Sequence, residues 1–291
     1  MGNFDEIRSE TKRLLREGSN SLQQYEKALP LCKELYEAFP ETHELWDVQQ
    51  YAICLKRLNK IDEAEQVCEN IYAEINETEI VQQQNQAFVY IENLYAWIIN
   101  DKYVRTVNQT DYQHTKIVLD KLSLLYKLLQ DTKATKPSFS YCVLAVLKQL
   151  NKDKENIDNK KCLELLDLIT PSELTAEAKV FTNETGKTRE FASSKEDYYK
   201  LKSDFLLDEK QYEDCIICCN EAMETLERFH YDNDVWFSRK IANSLGKLGN
   251  IDGAISNLEK LTAVSDKWFL LFEIGKYYEQ LNQFNKALTY M

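Results

Sequence analysis

Three cysteines stand within five positions of the sequence, at Cys215, Cys218 and Cys219. Thiolates at such spacing could bind zinc or form a disulfide. A structural zinc site usually takes paired ligands from two segments, and the one histidine nearby, His230, lies eleven residues beyond Cys219. Cysteines three or four positions apart on one helix also have poor disulfide geometry. We therefore expect free thiols that act as compact apolar side chains, with no bound metal or cofactor.

Other residue types with chemical potential give no coherent site. Gly186-Lys187-Thr188 matches the end of a phosphate-binding loop, but Phe181 stands where that pattern requires glycine. His43, His114 and His230 are isolated from one another and form no metal-binding or nucleophile-activating arrangement. The abundant carboxylates are typical of solvated outer helix faces. The sequence therefore predicts a protein that is not an enzyme.

The charge balance bears on possible partners. The chain has 36 basic and 48 acidic residues, a formal net charge of -12, which disfavours general affinity for nucleic-acid phosphate. Nucleic acid is left open as a partner because a local basic patch could form. The lysines of that patch would be Lys133, Lys136, Lys148, Lys152 and Lys154.

Composition favours a helical, cytoplasmic protein. Only 7 Gly and 4 Pro occur in 291 residues, too few for the many chain reversals of a large β-sheet protein. No window approaches about 18 uninterrupted apolar residues, and the N-terminus lacks the apolar core of a signal peptide. We expect a soluble protein without membrane contact, whose eight cysteines stay reduced.

Small residues recur at a fixed interval within helix–turn–helix segments. The pairs, each twelve positions apart, are Ala52 with Ala64, Ala242 with Ala254, and Gly275 with Ala287. The last two pairs are separated by 33 residues. A small side chain at a helix crossing lets the two axes approach closely. The spacing therefore predicts stacked helix pairs rather than one globular core.

These segments resemble tetratricopeptide repeats, which are helix–turn–helix units with small residues at positions 8 and 20. The resemblance covers residues 22–76 and 198–291, is weaker between them, and includes Ala28 with Pro40 at positions 20 and 32. It implies an all-α fold, a right-handed α-solenoid of antiparallel helix pairs. On this alignment Ser203 takes position 8 and Cys215 takes position 20, so the cysteine cluster lies on the buried stripe.

The sequence predicts three parts. Residues 1–182 form an N-terminal helical array with an irregular pair of long helices at 79–131, residues 183–195 form an exposed loop, and residues 196–291 form a second array. Pro30 indicates that its helix begins near Glu26, and Thr170-Pro171-Ser172-Glu173 predicts a helix that ends near Phe181. The last repeat stops two turns short, so we expect the natural chain to continue beyond Met291.

The resemblance also implies a binding groove, because the first helix of each tetratricopeptide repeat lines the concave surface with positions 2, 5, 9 and 12. In the C-terminal array these positions are Lys200, Asp204, Trp236, Arg239, Asn243, Gly246, Phe269, Phe272, Lys276 and Glu279. Their N-terminal counterparts are Trp46, Gln49, Ile53 and Lys56. Aromatic and arginine side chains that converge on a groove are typical of binding hot spots. Packing between repeats is an equally good explanation of the aromatics.

Two functions fit this pattern. The first is a scaffold that binds a protein or peptide in its concave groove and recruits or regulates an effector. The second is a sensing or regulatory arm of a larger multidomain enzyme or defence-type assembly, responsive to a ligand or nucleic acid. Arg239 and Asn243 match half of the carboxylate clamp found in chaperone-binding repeats, but Glu273 stands where the clamp needs an amide or basic group. Chaperone C-terminal tails are therefore not the expected ligand.

Overall fold

A computed structural model describes residues 4–17, 21–77, 86–105, 112–133, 135, 138–152, 157–183 and 185–290. The chain divides into two compact units, unit 1 at Met1–Gln149 and unit 2 at Leu150–Met291. The described part is almost entirely helical, with one two-stranded sheet. The predicted all-α fold of antiparallel helix pairs is confirmed. The sequence-based division into parts at residues 183–195 stays a prediction of domain organisation.

Unit 1 is built from successive helices. They are α1 (Phe4–Glu17), α2 (Leu22–Glu37), a short α3 (Phe39–Thr42), α4 (Leu45–Arg57), α5 (Ile61–Glu77), α6 (Gln86–Ile99), a π-helical turn (Asn100–Val104), α7 (Tyr112–Asp131) and α8 (Ser138–Leu150). Helix α2 packs against both α1 and α4, and α4 packs against α5 and α6. Ala28, Ala52 and Ala64 are fully buried, as the small-residue pattern predicts.

The predicted start of α2 near Glu26 is wrong. The helix begins at Leu22, so Pro30 lies well inside it. Proline in a helix interior removes one backbone hydrogen bond and crowds the preceding turn. Tyr25 and Ala28 nevertheless bury their side chains before Pro30, and this tertiary packing favours the longer helix over the local preference.

A network of charged groups joins α5 to the π-helical turn and α7. The buried Glu65 carboxylate accepts hydrogen bonds from Lys102 Nζ at 2.7 Å, Lys121 Nζ at 2.7 Å and Tyr103 Oη at 2.9 Å. Lys121 also bonds Glu69 Oε1 at 2.5 Å. Burial opposes ionisation of Glu65, but the ammonium and phenol donors outweigh it and hold its pKa below the ordinary value.

Unit 2 holds the regular repeats. Its helices are α9 (Asn159–Asp167), α10 (Ser194–Asp208), α11 (Tyr212–Thr225), α12 (Asn233–Lys247), α13 (Ile251–Thr262), α14 (Trp268–Gln280) and α15 (Phe284–Tyr290). From α10 onward each helix packs against the next, and α10 also contacts α12. Ser203, Ala242 and Ala254 have no exposed surface, so the helix crossings lie at the predicted small residues.

The helix predicted to end near Phe181 is wrong. A single 3₁₀ turn spans Pro171–Glu173, and the chain then forms strand β1 (Lys179–Thr182), which pairs antiparallel with strand β2 (Thr188–Phe191). The capping signal at Thr170 therefore starts only one turn. Asn183 stabilises the reversal, since its Oδ1 accepts the backbone N–H of Thr185 at 3.2 Å and of Lys187 at 2.8 Å. Much of the predicted loop is thus a β-hairpin.

The cysteines fill the helical core. All eight are free and buried, including Cys215, Cys218 and Cys219 on α11, which confirms the packing interpretation of the cluster. Burial raises the pKa of Cys218 to about 12 and also raises the pKa of Cys68 and Cys142. Thiols with raised pKa values are poor nucleophiles and ligands at neutral pH. No helix in the described ranges is long and apolar enough to cross a bilayer.

Candidate interaction groove

The candidate groove belongs to unit 2 and is lined by the first helices of its repeats, α10, α12 and α14. Buried Glu196 on α10 fixes the segment that starts α12. Its carboxylate accepts hydrogen bonds from Asn233 Nδ2 at 2.7 Å and from the backbone N–H of His230 at 2.7 Å, and it contacts His230 Nδ1 at 2.8 Å. Ser193 caps α10 by accepting the N–H of Glu196 at 3.0 Å. These contacts fix the starts of α10 and α12, two of the helices that carry predicted groove residues.

An aromatic stack connects α12 to α14. The rings of Trp236 and Phe269 lie 5.2 Å apart with an interplanar angle of 14°. The Arg239 guanidinium lies over both rings, 5.2 Å from the Trp236 centroid and 5.0 Å from that of Phe269. All three side chains are half-buried. Sequence-predicted residues from neighbouring repeats thus meet in one layered cluster, which we call the Trp236 stack.

Glu273 holds the cation of the Trp236 stack in place. Arg239 Nε donates to Glu273 Oε1 at 2.9 Å and to Oε2 at 3.1 Å, and Arg239 Nη2 also bonds Oε1. This forked geometry neutralises the guanidinium and orients it. The stack is therefore packing between repeats, one of the two explanations that the sequence left open. Each of its two rings also keeps part of its surface exposed.

A cavity of about 390 Å³ lies beside this cluster. Its wall includes Asn243 and Gly246 of α12 together with Lys276 and Tyr277 of α14. Tyr277 Oη donates to Asn243 Oδ1 at 3.3 Å, and burial raises the pKa of this phenol. A Cβ at Gly246 would collide with the Tyr277 ring, so glycine provides the space for that ring. The groove therefore has a polar pocket next to an aromatic surface.

Phe272 and Lys276 extend the same helix face. Both are exposed, and Lys276 Nζ lies 4.5 Å from the centroid of the Phe272 ring. This cation–π contact positions the ammonium without neutralising it. Lys276 also lines the cavity, so it presents a positive charge to whatever enters.

A second polar centre joins α10 to α12. Asp204 bonds Lys240 Nζ at 2.5 Å, Lys200 Nζ at 3.2 Å and Asn151 Nδ2 at 2.9 Å. Burial opposes its ionisation, but the ammonium groups of Lys240 and then Lys200 outweigh this and lower the pKa of Asp204. Lys200, a predicted groove residue, is thus tied to its own helix and does not join the Trp236 stack.

Sequence reasoning missed Tyr277 and Lys240 as members of this surface. Neither occupies a groove position in the repeat alignment, and their roles depend on contacts made 34 and 37 residues away, with Asn243 and Ser203. One signal was available. Glycine inside a helix is destabilising unless something needs the space, and Gly246 gives that space to Tyr277.

Unit 1 has its own version of this surface. Trp46 occupies the same repeat position as Trp236, but its side chain is 43% exposed. Its ring centroid lies 5.7 Å from that of Tyr90, and the two ring planes make an angle of 39°. A cavity of about 560 Å³ follows, with Gln49 and Lys56 in its wall. Lys56 is paired with Asp101 at 2.5 Å. In the N-terminal counterpart the ring pair is therefore tilted rather than stacked, and Gln49 occupies the repeat position of Arg239.

Comparison with known proteins finds similar structures but no similar sequences or family models. No family model and no curated protein sequence matches the chain. Among solved structures, a chain from the structure of Naa15/Naa10 bound to HypK-THB aligns with a TM-score of 0.59 and 10% identity, over 98% of this chain and 36% of that one. The chain thus spans about a third of that protein's length. This likeness shows that the two chains share a similar fold.

The antiparallel helix pairs that cross at buried small residues have the fold of tetratricopeptide repeats. Two bacterial structures align over 99% of this chain at lower similarity: a tetratricopeptide repeat protein from Parabacteroides merdae at TM-score 0.43 and 11% identity, and the C-terminal part of a TPR repeat-containing protein from Cytophaga hutchinsonii at 0.45 and 13%. The alignments cover 90% and 93% of those chains.

Proposed function

We propose that this tetratricopeptide-repeat protein is an interaction scaffold that binds an extended segment of a partner protein in the groove of unit 2. Binding there would recruit or regulate the effector that carries the segment. The observation that carries the proposal is the half-exposed Trp236 stack beside the cavity at Asn243 and Tyr277.

The Trp236 stack supplies a preformed apolar contact. Stacking and the Arg239–Glu273 fork already restrict the rings, so little side-chain freedom is lost when a ligand covers them. Rigid aromatic side chains are enriched among residues that dominate binding energy. An apolar or aromatic side chain of the partner segment is the natural complement of this surface.

The cavity supplies directional polar contacts. Asn243 and Tyr277 offer an amide and a hydroxyl, and Lys276 and Lys247 offer ammonium groups at its edge. Because Glu273 neutralises Arg239, the lysines carry the positive charge that faces a ligand. We infer that the segment places an acidic side chain or a backbone carbonyl in the cavity, next to its apolar residue.

The structural neighbour is consistent with this function. The solved structure with a TM-score of 0.59 is an assembly, Naa15/Naa10 bound to HypK-THB. A repeat array of the same fold therefore occurs in a multiprotein complex. That likeness supports a scaffold role in general and leaves the partner of this chain to be found.

A pair of substitutions on α12 and α14, with a control pair on α13, tests the proposal. The groove variant combines Asn243→Ala and Lys276→Ala, and the control combines Asn257→Ala and Lys260→Ala on α13. Proteins captured by the wild-type chain from cells of its source are identified by mass spectrometry, and their affinities are measured with purified components. We expect the groove variant to lose roughly tenfold or more in affinity while the control binds like wild type. Equal binding by both variants would exclude this groove.

A further inference from the structure

The β-hairpin of unit 2 has two chemically different faces. Its register pairs Lys179 with Phe191 and Phe181 with Arg189. Cross-strand partners and alternate residues share a face of a sheet, so these four side chains lie on one side. We call this side, together with Lys187 at the turn, the basic–aromatic face. The opposite face carries Val180, Thr182, Thr188 and Glu190.

The hairpin buries neither face. All eight strand residues are exposed, with Phe181 at 60% and Phe191 at 38%. A two-stranded hairpin is only marginally stable in water, and large rings normally find cover. Packing against the helices of unit 2 therefore does not explain why two phenylalanines stand here.

Ion pairs nevertheless hold the hairpin in place. Lys179 on β1 bonds Asp197 of α10 at 2.9 Å, and Glu190 on β2 bonds Arg228 at 3.1 Å. The Asn183 turn closes the other end of the hairpin with two side-chain hydrogen bonds. The exposed rings are thus mounted on a fixed element rather than on a disordered loop.

Two cations of the basic–aromatic face make no ion pair within the part of the chain that the structure describes. Lys187 and Arg189 make no ion pair with any acidic residue that the structure describes, whereas Lys179 is neutralised by Asp197. The acidic Glu190 projects from the opposite face and is paired with Arg228. The chain has a net charge of -12, yet this face presents positive charge next to two exposed rings.

We propose that the basic–aromatic face of the hairpin binds single-stranded nucleic acid. Phe181 and Phe191 offer ring surfaces on which bases stack, and Lys187 and Arg189 neutralise the phosphates between them. Nucleotides carry a flat apolar group and a negative charge in each repeat unit, which matches the alternation of rings and cations on this face.

Strand addition by an acidic peptide explains the face less well. Strands of four residues give an added strand few backbone hydrogen bonds, and the exposed rings would have no defined role. The site lies on the hairpin and not in the groove, so it goes beyond the proposed scaffold function. The two proposals can therefore be tested independently of each other.

Fluorescence anisotropy of the full chain with labelled oligouridylate and oligothymidylate of about 12 nucleotides tests the site. A matched pair of variants, Phe181→Ala and Val180→Ala, removes side chains that are 60% and 61% exposed on opposite faces. We expect Phe181→Ala to weaken binding roughly tenfold, Phe181→Tyr to restore it, and Val180→Ala to bind like wild type. Arg189→Ala should reduce the slope of log K against log salt concentration by about 0.7.

Three results would overturn the site. Wild-type protein that binds neither oligonucleotide at about 50 mM salt has no such activity. Equal losses in Phe181→Ala and Val180→Ala would mean that ring stacking does not contribute. Binding of a polyglutamate probe as tight as that of oligouridylate, and unaffected by Phe181→Ala, would make this a general acidic-partner surface. Hydrogen exchange across residues 179–191 verifies that each variant keeps the hairpin.

Discussion

The regular repeats of unit 2 and the α5–α7 region of unit 1 hold their helices together in different ways. In unit 2, fully buried Ala242 and Ala254 let helices approach directly. Between α5 and α7, Glu65 instead bridges to Lys102 and Lys121. The network ties α5 to residues of the segment 79–131, where the repeat pattern of the sequence is weak.

The difference shows what holds helices together where small residues do not form the crossing. Apolar crossings depend on shape and are insensitive to salt and pH. A network of charges depends on complete pairing, because each buried charge left without its partner is strongly destabilising. The α5–α7 region should therefore respond to loss of charge, and the crossing of α12 and α13 to a change of volume.

Glu65→Ala should have the largest effect on stability. It removes the carboxylate that accepts hydrogen bonds from Lys102, Lys121 and Tyr103, and at about 1 kcal/mol for each bond we expect a loss of about 3 kcal/mol in unfolding free energy. Urea denaturation measures it. The control is Glu63→Ala on the same helix, an exposed residue paired with Lys60, with an expected loss below about 0.5 kcal/mol. Similar losses for both variants would contradict the role of the network.

Ala242→Leu should rank second. The added carbons have no space at a crossing where alanine is fully buried, and overpacking of this kind costs about 2 kcal/mol. Ala263→Leu, at an exposed helix end, is the matched control and should leave the melting temperature nearly unchanged. A wild-type melting temperature for Ala242→Leu would show that this crossing is loosely packed.

Glu92 sharpens the comparison, because it is a buried carboxylate of unit 1 outside the network. Burial, then Asp131, raises its pKa to about 7 from an ordinary value of 4.5. A raised carboxyl pKa contributes stability below pH 4.5 that is lost as the pH rises through 7. Glu92→Gln should therefore be more stable than wild type by about 2 kcal/mol at pH 8, with little difference at pH 4.5. Urea titrations at both pH values measure this, and a gain that is the same at both would refute the shift.

Gly246→Ala should have the smallest effect on stability. Alanine favours the helix but collides with Tyr277, so we expect a net loss of at most about 1 kcal/mol. Displacement of Tyr277 should be visible as a loss of its hydrogen bond to Asn243 in a crystal structure of the variant. Exposed Lys247→Ala is the neighbouring control. An unmoved Tyr277 ring would show that the helices separate instead.

Local patterns in the sequence predicted much of the fold. The apolar periodicity of residues 112–131 gives the bounds of α7, and the twelve-residue spacing identifies the buried positions Ala52, Ala64, Ala242 and Ala254. What failed depends on distant partners. The capping signal at Thr170 starts a helix of one turn only. Residues 179–182 instead pair with Thr188–Phe191 as a β-hairpin.

The candidate groove shows the same limit. Repeat positions identified Trp236, Arg239 and Phe269 as neighbours, and the structure brings them together. The Arg239–Glu273 fork joins residues 34 apart, and it depends on how the two repeats are offset. Arg239 is already paired with Glu273, so binding of a partner depends on how much ring surface stays exposed. The local sequence pattern does not contain that exposed area.

Site-specific photo-crosslinking tests the scaffold claim most directly. A photoreactive phenylalanine analogue replaces Phe272 on α14 in the groove or Lys260 on α13 of the same array, and each protein is irradiated in an extract of its source cells. We predict a discrete protein crosslinked from position 272 and competed by unmodified wild-type chain, with none from position 260. The same crosslinks from both positions, or competition by the Asn243→Ala/Lys276→Ala variant as effective as by wild type, would contradict the account.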